Sequence, residues 1–223
     1  VHTKKEEDKA QAIQEMQMMK ACCNHPNIVA YHDAWFPDKW SMCILMEFAP
    51  NGALDGLIDE RVKTGEHFHP HKIMHFMQEL ASALQYCHDD LGIMHRDIKP
   101  ANILLDRLGT LKLADFGLSK SLGGSNLAST VCGSPLYMSP ELCSGTPYSY
   151  KADVWSFGCV MYELMELRSP WMDATVQGPQ AYAMLIRRIT EGDANYEPLR
   201  EHYGDRLAGT TRWMLMRNVA CRA

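Results

Sequence analysis

The sequence predicts an α+β chain, with a few short strands near its start and a largely helical body after them. Three observations carry that reading. Two β-rich runs, 28–36 and 42–48, stand together behind one helical stretch; an amphipathic helix pattern begins at Pro70; and residues 153–167 are apolar almost all round a helix. The first element opens at Thr3 and Glu6, which have capping-box spacing, and Ile13, Met16, Met19 and Cys23 recur behind them at helical intervals. Asn24-His25-Pro26 stops it. Pro37-Asp38-Lys39 separates the two strand runs, Pro50-Asn51-Gly52 is a turn signal, and a short helix is expected around Leu54–Arg61. After Pro70, the residues Ile73, Phe76, Met77, Leu80, Leu84 and Cys87 mark one apolar helix face. From His95 to Gly117 the pattern turns to loops and short strands, 103–105 and 111–113. Residues 119–134, rich in Ser, Gly and Thr, read as a long exposed loop of the kind that is often functional. The C-terminal part mixes helix and loop, with a helix expected over Leu207–Met216.

The chain has 223 residues, enough for one large domain or two small lobes. Hydrophobic residues at 46% and charged residues at 22% are ordinary globular values and argue against a disordered chain. With 22 Lys and Arg against 27 Asp and Glu, the net charge of -5 disfavours a general binder of nucleic acid or anionic membranes. No run approaches the roughly 18 apolar residues of a bilayer span. Residues 1–12 are charged and polar, so no signal peptide is expected. None of the eight cysteines forms a C-x-x-C pair, so they read as free thiols in a reducing compartment, the cytosol or nucleus. His67, His69, His71 and His75 raise a second idea, a divalent ion held by the i,i+4 pair His71 and His75; mobile surface histidines are its alternative.

The strongest chemical signal is His95-Arg96-Asp97-Ile98-Lys99-Pro100-Ala101-Asn102. Asp115-Phe116-Gly117 follows, then Gly133-Ser134-Pro135-Leu136-Tyr137-Met138-Ser139-Pro140-Glu141, then Asp153-Val154-Trp155-Ser156-Phe157-Gly158. In order, these resemble the catalytic loop, the metal-binding Asp-Phe-Gly, the substrate-docking and A-P-E segments, and the buried-helix signature of protein kinases. A lone Asp-Phe-Gly carries little weight; four motifs in order with sensible gaps carry a great deal. The resemblance runs from the first helix onward. It implies a two-lobed fold in one kinase domain, residues 1–223, incomplete at both ends: a truncated small lobe over 1–48 and a mainly helical large lobe over 49–223.

The resemblance also implies roles. Phosphoryl transfer needs positioning and charge neutralisation more than covalent chemistry. Asp97 would accept the proton of the attacking hydroxyl, and Lys99 would offset charge on the transferring phosphoryl. Asn102 and Asp115 are hard oxygen ligands, suited to the magnesium that bridges ATP phosphates. Taken singly, each would more often be a surface charge or a turn residue. Ser134 stands where the family bonds the catalytic Asp and Lys with a hydroxyl. Glu15 matches the helix glutamate that pairs with a strand lysine holding the phosphates; otherwise it is one more charge on a solvated helix. Met19, Tyr31, His95 and Phe116 would stack into an apolar spine. Met46 would stand behind the adenine, the backbone of Glu47 and Ala49 would bond its edge, and Leu104 belongs to the same nucleotide site. Asp153 is the buried-helix aspartate, and Glu141 would pair with Arg222. A phosphate on Thr130 could be gripped by Arg96 and order the loop, with Ser129 competing and Ser125 weaker; an unmodified flexible loop is the alternative.

The form Asp97-x-Lys99-Pro100-x-Asn102 resembles serine/threonine kinases, and Leu118 leans toward serine acceptors. His25-Pro26-Asn27-Ile28-Val29, Tyr137-Met138-Ser139-Pro140-Glu141, Leu167-x-Ser169-Pro170-Trp171 and Tyr196-x-Pro198-Leu199 are similar to the NIMA-related kinases, the NEK family. Two departures stand out. No Gly-rich phosphate loop or strand lysine precedes Glu15, and Ala223 stands where the family has proline after its arginine. Both ends are therefore expected to be cut, and residues 1–223 alone to phosphorylate weakly or not at all. The implied function is ATP- and Mg2+-dependent phosphorylation of Ser/Thr in protein substrates, switched on by an upstream kinase or by autophosphorylation in trans. The competing reading is a kinase-like scaffold without useful activity. Neither nucleic acid nor membrane is expected as a partner. The implied address is cytoplasmic, or nuclear, centrosomal or ciliary by family.

Overall fold

The computed structural model describes residues 6–39, 41–117, 119–121, 134–172 and 180–223. Helix α1 spans Glu6–Cys22. Its core-facing residues are Ala12, Met19 and Cys22, while Ile13, Met16 and Cys23 are only half-buried, so the stripe is rotated from the one expected. Thr3, of the expected capping box, lies outside the described residues. Strands β1 (Tyr31–Asp38) and β2 (Ser41–Met46) pair antiparallel, Tyr31 against Met46 and Trp35 against Cys43, with irregularities on either side of the middle.

Helix α2 (Leu54–Thr64) ends on Gly65, whose φ of 71° is the left-handed conformation a helix C-terminus uses. Helix α3 (Pro70–Gln85) begins on Pro70, pre-set for a first helical turn, and the His69 ring accepts from the His71 amide. Ile73, Phe76, Leu80 and Leu84 are buried along its expected face, and Cys87 is buried in a π-turn, Tyr86–Asp90, that prolongs it. Strand β3 (Ile93–Met94) pairs with β6 (Lys120–Ser121), and β4 (Ile103–Leu105) with β5 (Leu111–Leu113), all antiparallel. The loop expected over 119–134 thus begins with a strand residue pair, and 122–133 lie outside the described residues.

Short α4 (Pro140–Cys143) leads to α5 (Lys151–Glu166), buried along most of its length as its apolar sequence requires. Trp155 on α5 stacks on Trp171 at 5.3 Å. After α6 (Gln180–Glu191), α7 starts at Glu197 and runs to Met214, well before the expected start, and is broken at Gly204 (φ 78°, ψ 169°). One hydrophobic core joins α1, α3, α5, α7 and the β4–β5 pair. No helix among the described residues is long and apolar enough to cross a membrane. The fold is α+β as the sequence predicts, with two-stranded sheets and a helical body.

The histidine ion site, raised only as a second idea, is not formed. The His75 ring turns to Glu79, with Nε2 3.2 Å from Oε1, and His71 stacks on His69 at 5.3 Å. Among the described residues, no group of three or more His, Cys, Asp or Glu could hold a metal.

Candidate active site

Residues 95–102 leave β3 as a loop, because Pro100 forbids a continuing strand partner and Pro100–Asn102 tightens into one 3-10 turn before β4. The loop is held from behind by α5. The buried Asp153 carboxylate accepts the backbone N–H of His95 at 2.9 Å and of Arg96 at 2.8 Å, and bonds the His88 ring at 2.8 Å. Burial alone would raise the Asp153 carboxyl, but His88 and these amides hold it below its ordinary value. Arg96 adopts a left-handed φ of 69° where the two amides converge. The His95 ring is fully buried, bonds the Ala114 carbonyl at 3.0 Å and meets the edge of Phe116 at 4.8 Å. Burial holds its pKa down, so the ring is neutral.

Three polar side chains converge on Asp97. The Lys99 ammonium donates to Oδ2 at 2.6 Å, the Asn102 amide to the same oxygen at 2.9 Å, and the Ser134 hydroxyl to Oδ1 at 3.1 Å. Lys99 also donates to the Ser134 hydroxyl at 3.1 Å. Burial opposes ionisation, but Lys99, then Asn102 and Ser134, outweigh it and hold Asp97 below its ordinary value. A carboxylate so placed is charged at neutral pH and aimed by three donors. Ser134 comes from 37 residues along the chain, as expected of it.

Asn102 spends its amide hydrogens on the Asp97 carbonyl (2.8 Å) and carboxylate, which leaves Oδ1 as its remaining side-chain ligand atom. Ala114 N–H donates to the Asn102 carbonyl at 2.9 Å and so ties the strand ahead of Asp115 to the same loop. Asp115 is exposed, left-handed at φ 61°, and accepts the Gly117 amide at 3.2 Å. A Cβ on Gly117 would lie 3.1 Å from Asp115 Oδ1 and 3.4 Å from the Glu15 carboxyl carbon, so the glycine lets α1 and Asp115 approach. Burial, then the neighbouring Asp115 charge, raises the Glu15 carboxyl. Glu15 therefore does face the site, and no lysine among the described residues pairs with it. Two hard oxygen donors, Asn102 Oδ1 and the Asp115 carboxylate, fit a magnesium ion in chemistry.

The residues expected to form the adenine wall lie at and just after the end of β2. The Glu47 carboxylate is gripped by Lys112 at 2.8 Å and by the Ala30 amide at 3.1 Å, and Glu47 N–H donates to the Ala30 carbonyl at 2.8 Å. Its carbonyl and the Ala49 N–H keep no hydrogen bond among the described residues. Met46 is 40% exposed, and Leu104 is half-buried opposite Lys112. Of the expected spine, Met19, Phe116 and His95 are buried and Tyr31 packs against the core. Thr130, Ser129, Ser125 and Leu118 lie outside the described residues. The Arg96 guanidinium donates to the Tyr148 hydroxyl at 3.2 Å. Glu141 and Arg222 form the expected pair, as a fork at 2.6 and 2.9 Å. Sequence reasoning missed His88, Tyr148 and Lys112; His88 sits 65 residues from the aspartate it orients, a distance no local pattern signals.

The protein kinase domain family model matches residues 1–222. The chain is similar to NUAK family SNF1-like kinase 2 of Rattus norvegicus, 38% identical over 221 residues, covering 99% of this chain and 32% of that protein. It is 38% identical over 206 residues to serine/threonine-protein kinase nekl-2 of Caenorhabditis elegans, covering 90% of this chain and 54% of that one. Serine/threonine-protein kinase Nek8 of Danio rerio is 37% identical over 202 residues, covering 90% and 27%. The chain thus spans about a third to a half of the length of the first two of these relatives.

Proposed function

We propose that this chain, which belongs to the protein kinase domain family, carries the catalytic residues of a serine/threonine protein kinase that transfers the ATP γ-phosphoryl group to protein hydroxyls. The observation that carries the reading is the convergence of Lys99, Asn102 and Ser134 on one ionised carboxylate, Asp97. The substrate hydroxyl oxygen attacks the γ-phosphorus as its proton passes to Asp97, and the bond to the β-phosphate oxygen breaks. Lys99 offsets the charge that spreads over the transferring group. Asn102 and Asp115 would hold magnesium, which neutralises phosphate charge when bound. The Glu47 carbonyl and Ala49 N–H would take the adenine edge. The relatives' printed names include both NEK-type and NUAK-type kinases; the motifs His25–Val29 and Tyr137–Glu141 favour a NEK-like enzyme. Phosphorylation at Thr130, read by Arg96, would complete the active form.

The test uses the full-length protein with γ-labelled ATP, Mg2+ and a mixed protein substrate, followed by phosphoamino-acid analysis. Label on Ser or Thr, cut by roughly 100-fold or more in Asp97→Asn, supports the reading. Label on Tyr, or transfer indifferent to that substitution, overturns it.

A further inference from the structure

We propose that Lys112 is a positioning residue for nucleotide choice: its clasp on the Glu47 carboxylate fixes the Glu47 carbonyl and Ala49 N–H at the spacing an adenine edge requires. The proposal rests on the reading that ATP docks along this edge, and adds to it the residue that sets the preference for adenine over other bases. Lys112 is the middle residue of β5, between Leu111 and Leu113, both buried in the core. Strand alternation therefore turns Lys112 to the opposite face, where Leu104 stands directly across from it on β4. A lysine on such a face is ordinarily solvated. This side chain is only 13% exposed, and its ammonium lies against Glu47, 2.8 Å from Oε1 and 3.0 Å from Oε2. The Ala30 N–H donates to Oε2 as well, at 3.1 Å, while the Ala30 carbonyl accepts the Glu47 N–H at 2.8 Å. The segment leading to Ala30 runs beside β5, since Val29 N–H donates to the Leu113 carbonyl at 2.9 Å and Leu113 N–H to the Asn27 carbonyl at 2.8 Å. Glu47 is thus gripped through its backbone and its side chain together, and both grips lead back to β5.

The far side of the same edge is tied to β4. Asn51 N–H donates to the Leu105 carbonyl at 3.2 Å, and Leu105 N–H to the Gly52 carbonyl at 2.9 Å. Residues 47–52 are therefore strung between two anchors on one hairpin, and the atoms that would meet adenine lie between them. The Leu105 anchor is made by backbone groups and survives substitution. The Lys112 anchor is a charge-assisted pair partly shielded from water, and a single change removes it. Recognition groups must be held within about 0.5 Å of their working positions, so a Glu47 carboxylate released toward solvent costs base recognition before it costs the fold. The chemistry at Asp97 draws on Lys99, Asn102 and Ser134 instead, so the rate at saturating nucleotide is spared.

The experiment compares ATP with inosine triphosphate as phosphoryl donors for the full-length protein. Inosine carries a carbonyl and a protonated N1 where adenine carries an amino group and a bare ring nitrogen, so it cannot return both edge bonds. In Lys112→Met the KM for ATP should rise roughly 3- to 10-fold with kcat within about twofold, and the preference for ATP over inosine triphosphate in kcat/KM should shrink by a similar factor. Lys112→Arg, whose fork can meet both carboxylate oxygens, should restore the preference. Glu47→Gln should narrow it as well, and adding Lys112→Met to that change should narrow it no further. The preference is a ratio within one sample, so it does not depend on how much of a variant is folded; where Lys112→Met yields no folded protein, Glu47→Gln carries the same test. A preference unchanged in these variants, or a KM raised equally for both nucleotides, overturns the proposal and leaves the phosphoryl-transfer reading in place. Wild-type protein that takes both nucleotides alike overturns the proposal together with the adenine placement beneath it.

Discussion

Replacing Arg222 by methionine should be among the most damaging single changes this fold can suffer far from its chemistry. The Arg222 side chain has no exposed surface, and its Glu141 partner is 7% exposed. The guanidinium gives both carboxylate oxygens a hydrogen bond, at 2.6 and 2.9 Å. It also donates to the Met216 carbonyl at 2.8 Å and the Lys151 carbonyl at 2.9 Å, and lies over Trp155 at 5.1 Å. Methionine fills similar volume but satisfies none of these groups, and it strands a buried carboxylate. Breaking one half of such a pair costs about 3–5 kcal/mol, which for a chain of this size lowers the melting midpoint by roughly 6–20 °C. Arg222→Lys keeps the charge but not the planar fork, and should fall between wild type and Arg222→Met. The double change Glu141→Leu with Arg222→Met removes the stranded charge and should recover much of the loss. Urea titrations of the four proteins measure all of this. An Arg222→Met protein within about 1 kcal/mol of wild type, or a double variant weaker than the single, would refute the reasoning.

Four further expectations follow from other parts of the fold. A Cβ on Gly158 would stand 2.9 Å from Leu215 and Met214 where α5 meets α7; Gly158→Ala should therefore destabilise by about 1–3 kcal/mol despite alanine's better helix propensity, read by chemical denaturation. His95 is held neutral by burial, while in the unfolded chain it protonates near 6.5. The unfolded state then binds the extra proton, so stability should fall as pH drops below about 6.5. His95→Phe should flatten that slope; Glu15 and Glu163, whose carboxyls burial raises, pull the opposite way in both proteins and cancel in the comparison. The Asp97 and Asp153 carboxyls are depressed, so the stability they add is present above about 3.8 and is lost only as pH falls through their lower folded values. Finally, Ser134→Ala removes one donor from Asp97 and one acceptor from Lys99. It should lower the phosphoryl-transfer rate roughly 10- to 100-fold with little change in melting, measured by steady-state kinetics.

The site was legible in the sequence wherever its groups are near one another in the chain. Asp97, Lys99 and Asn102 fall within six residues, and the 3-10 turn at Pro100 brings them together with little help. Strands 103–105 and 111–113 were readable because a short Asp- and Gly-containing turn separates the apolar run Ile103-Leu104-Leu105 from the alternating Leu111-Lys112-Leu113. Ser134, Glu141 and Arg222 were found through family resemblance, not spacing, since 81 residues divide the last two. What stayed hidden depends on orientation. The buried face of α1 is set by its packing on β1 and the core, so Ala12 and Cys22 face inward where Ile13 and Cys23 were expected. The histidines of 67–75 read as possible ligands because spacing cannot show that His75 already has Glu79. The early start of α7 escaped because Gly204 interrupts the helical pattern.

Arg96 and Asp115 are two of only three non-glycine residues with positive φ among the described residues, and they bracket the Asp97 carboxylate in the sequence. Such backbone costs on the order of 1–3 kcal/mol per residue and persists only where surroundings enforce it. For Arg96 the enforcement comes from one carboxylate on a buried helix, 57 residues downstream. The motif is thus a loaded spring whose latch lies elsewhere. A peptide of residues 93–104 would relax to ordinary φ values and lose the alignment of Asp97, although every letter of the motif would be present. The same dependence makes the site a reporter on the whole body: any loosening of α5 releases the latch and disarms the loop while the rest of the fold still stands.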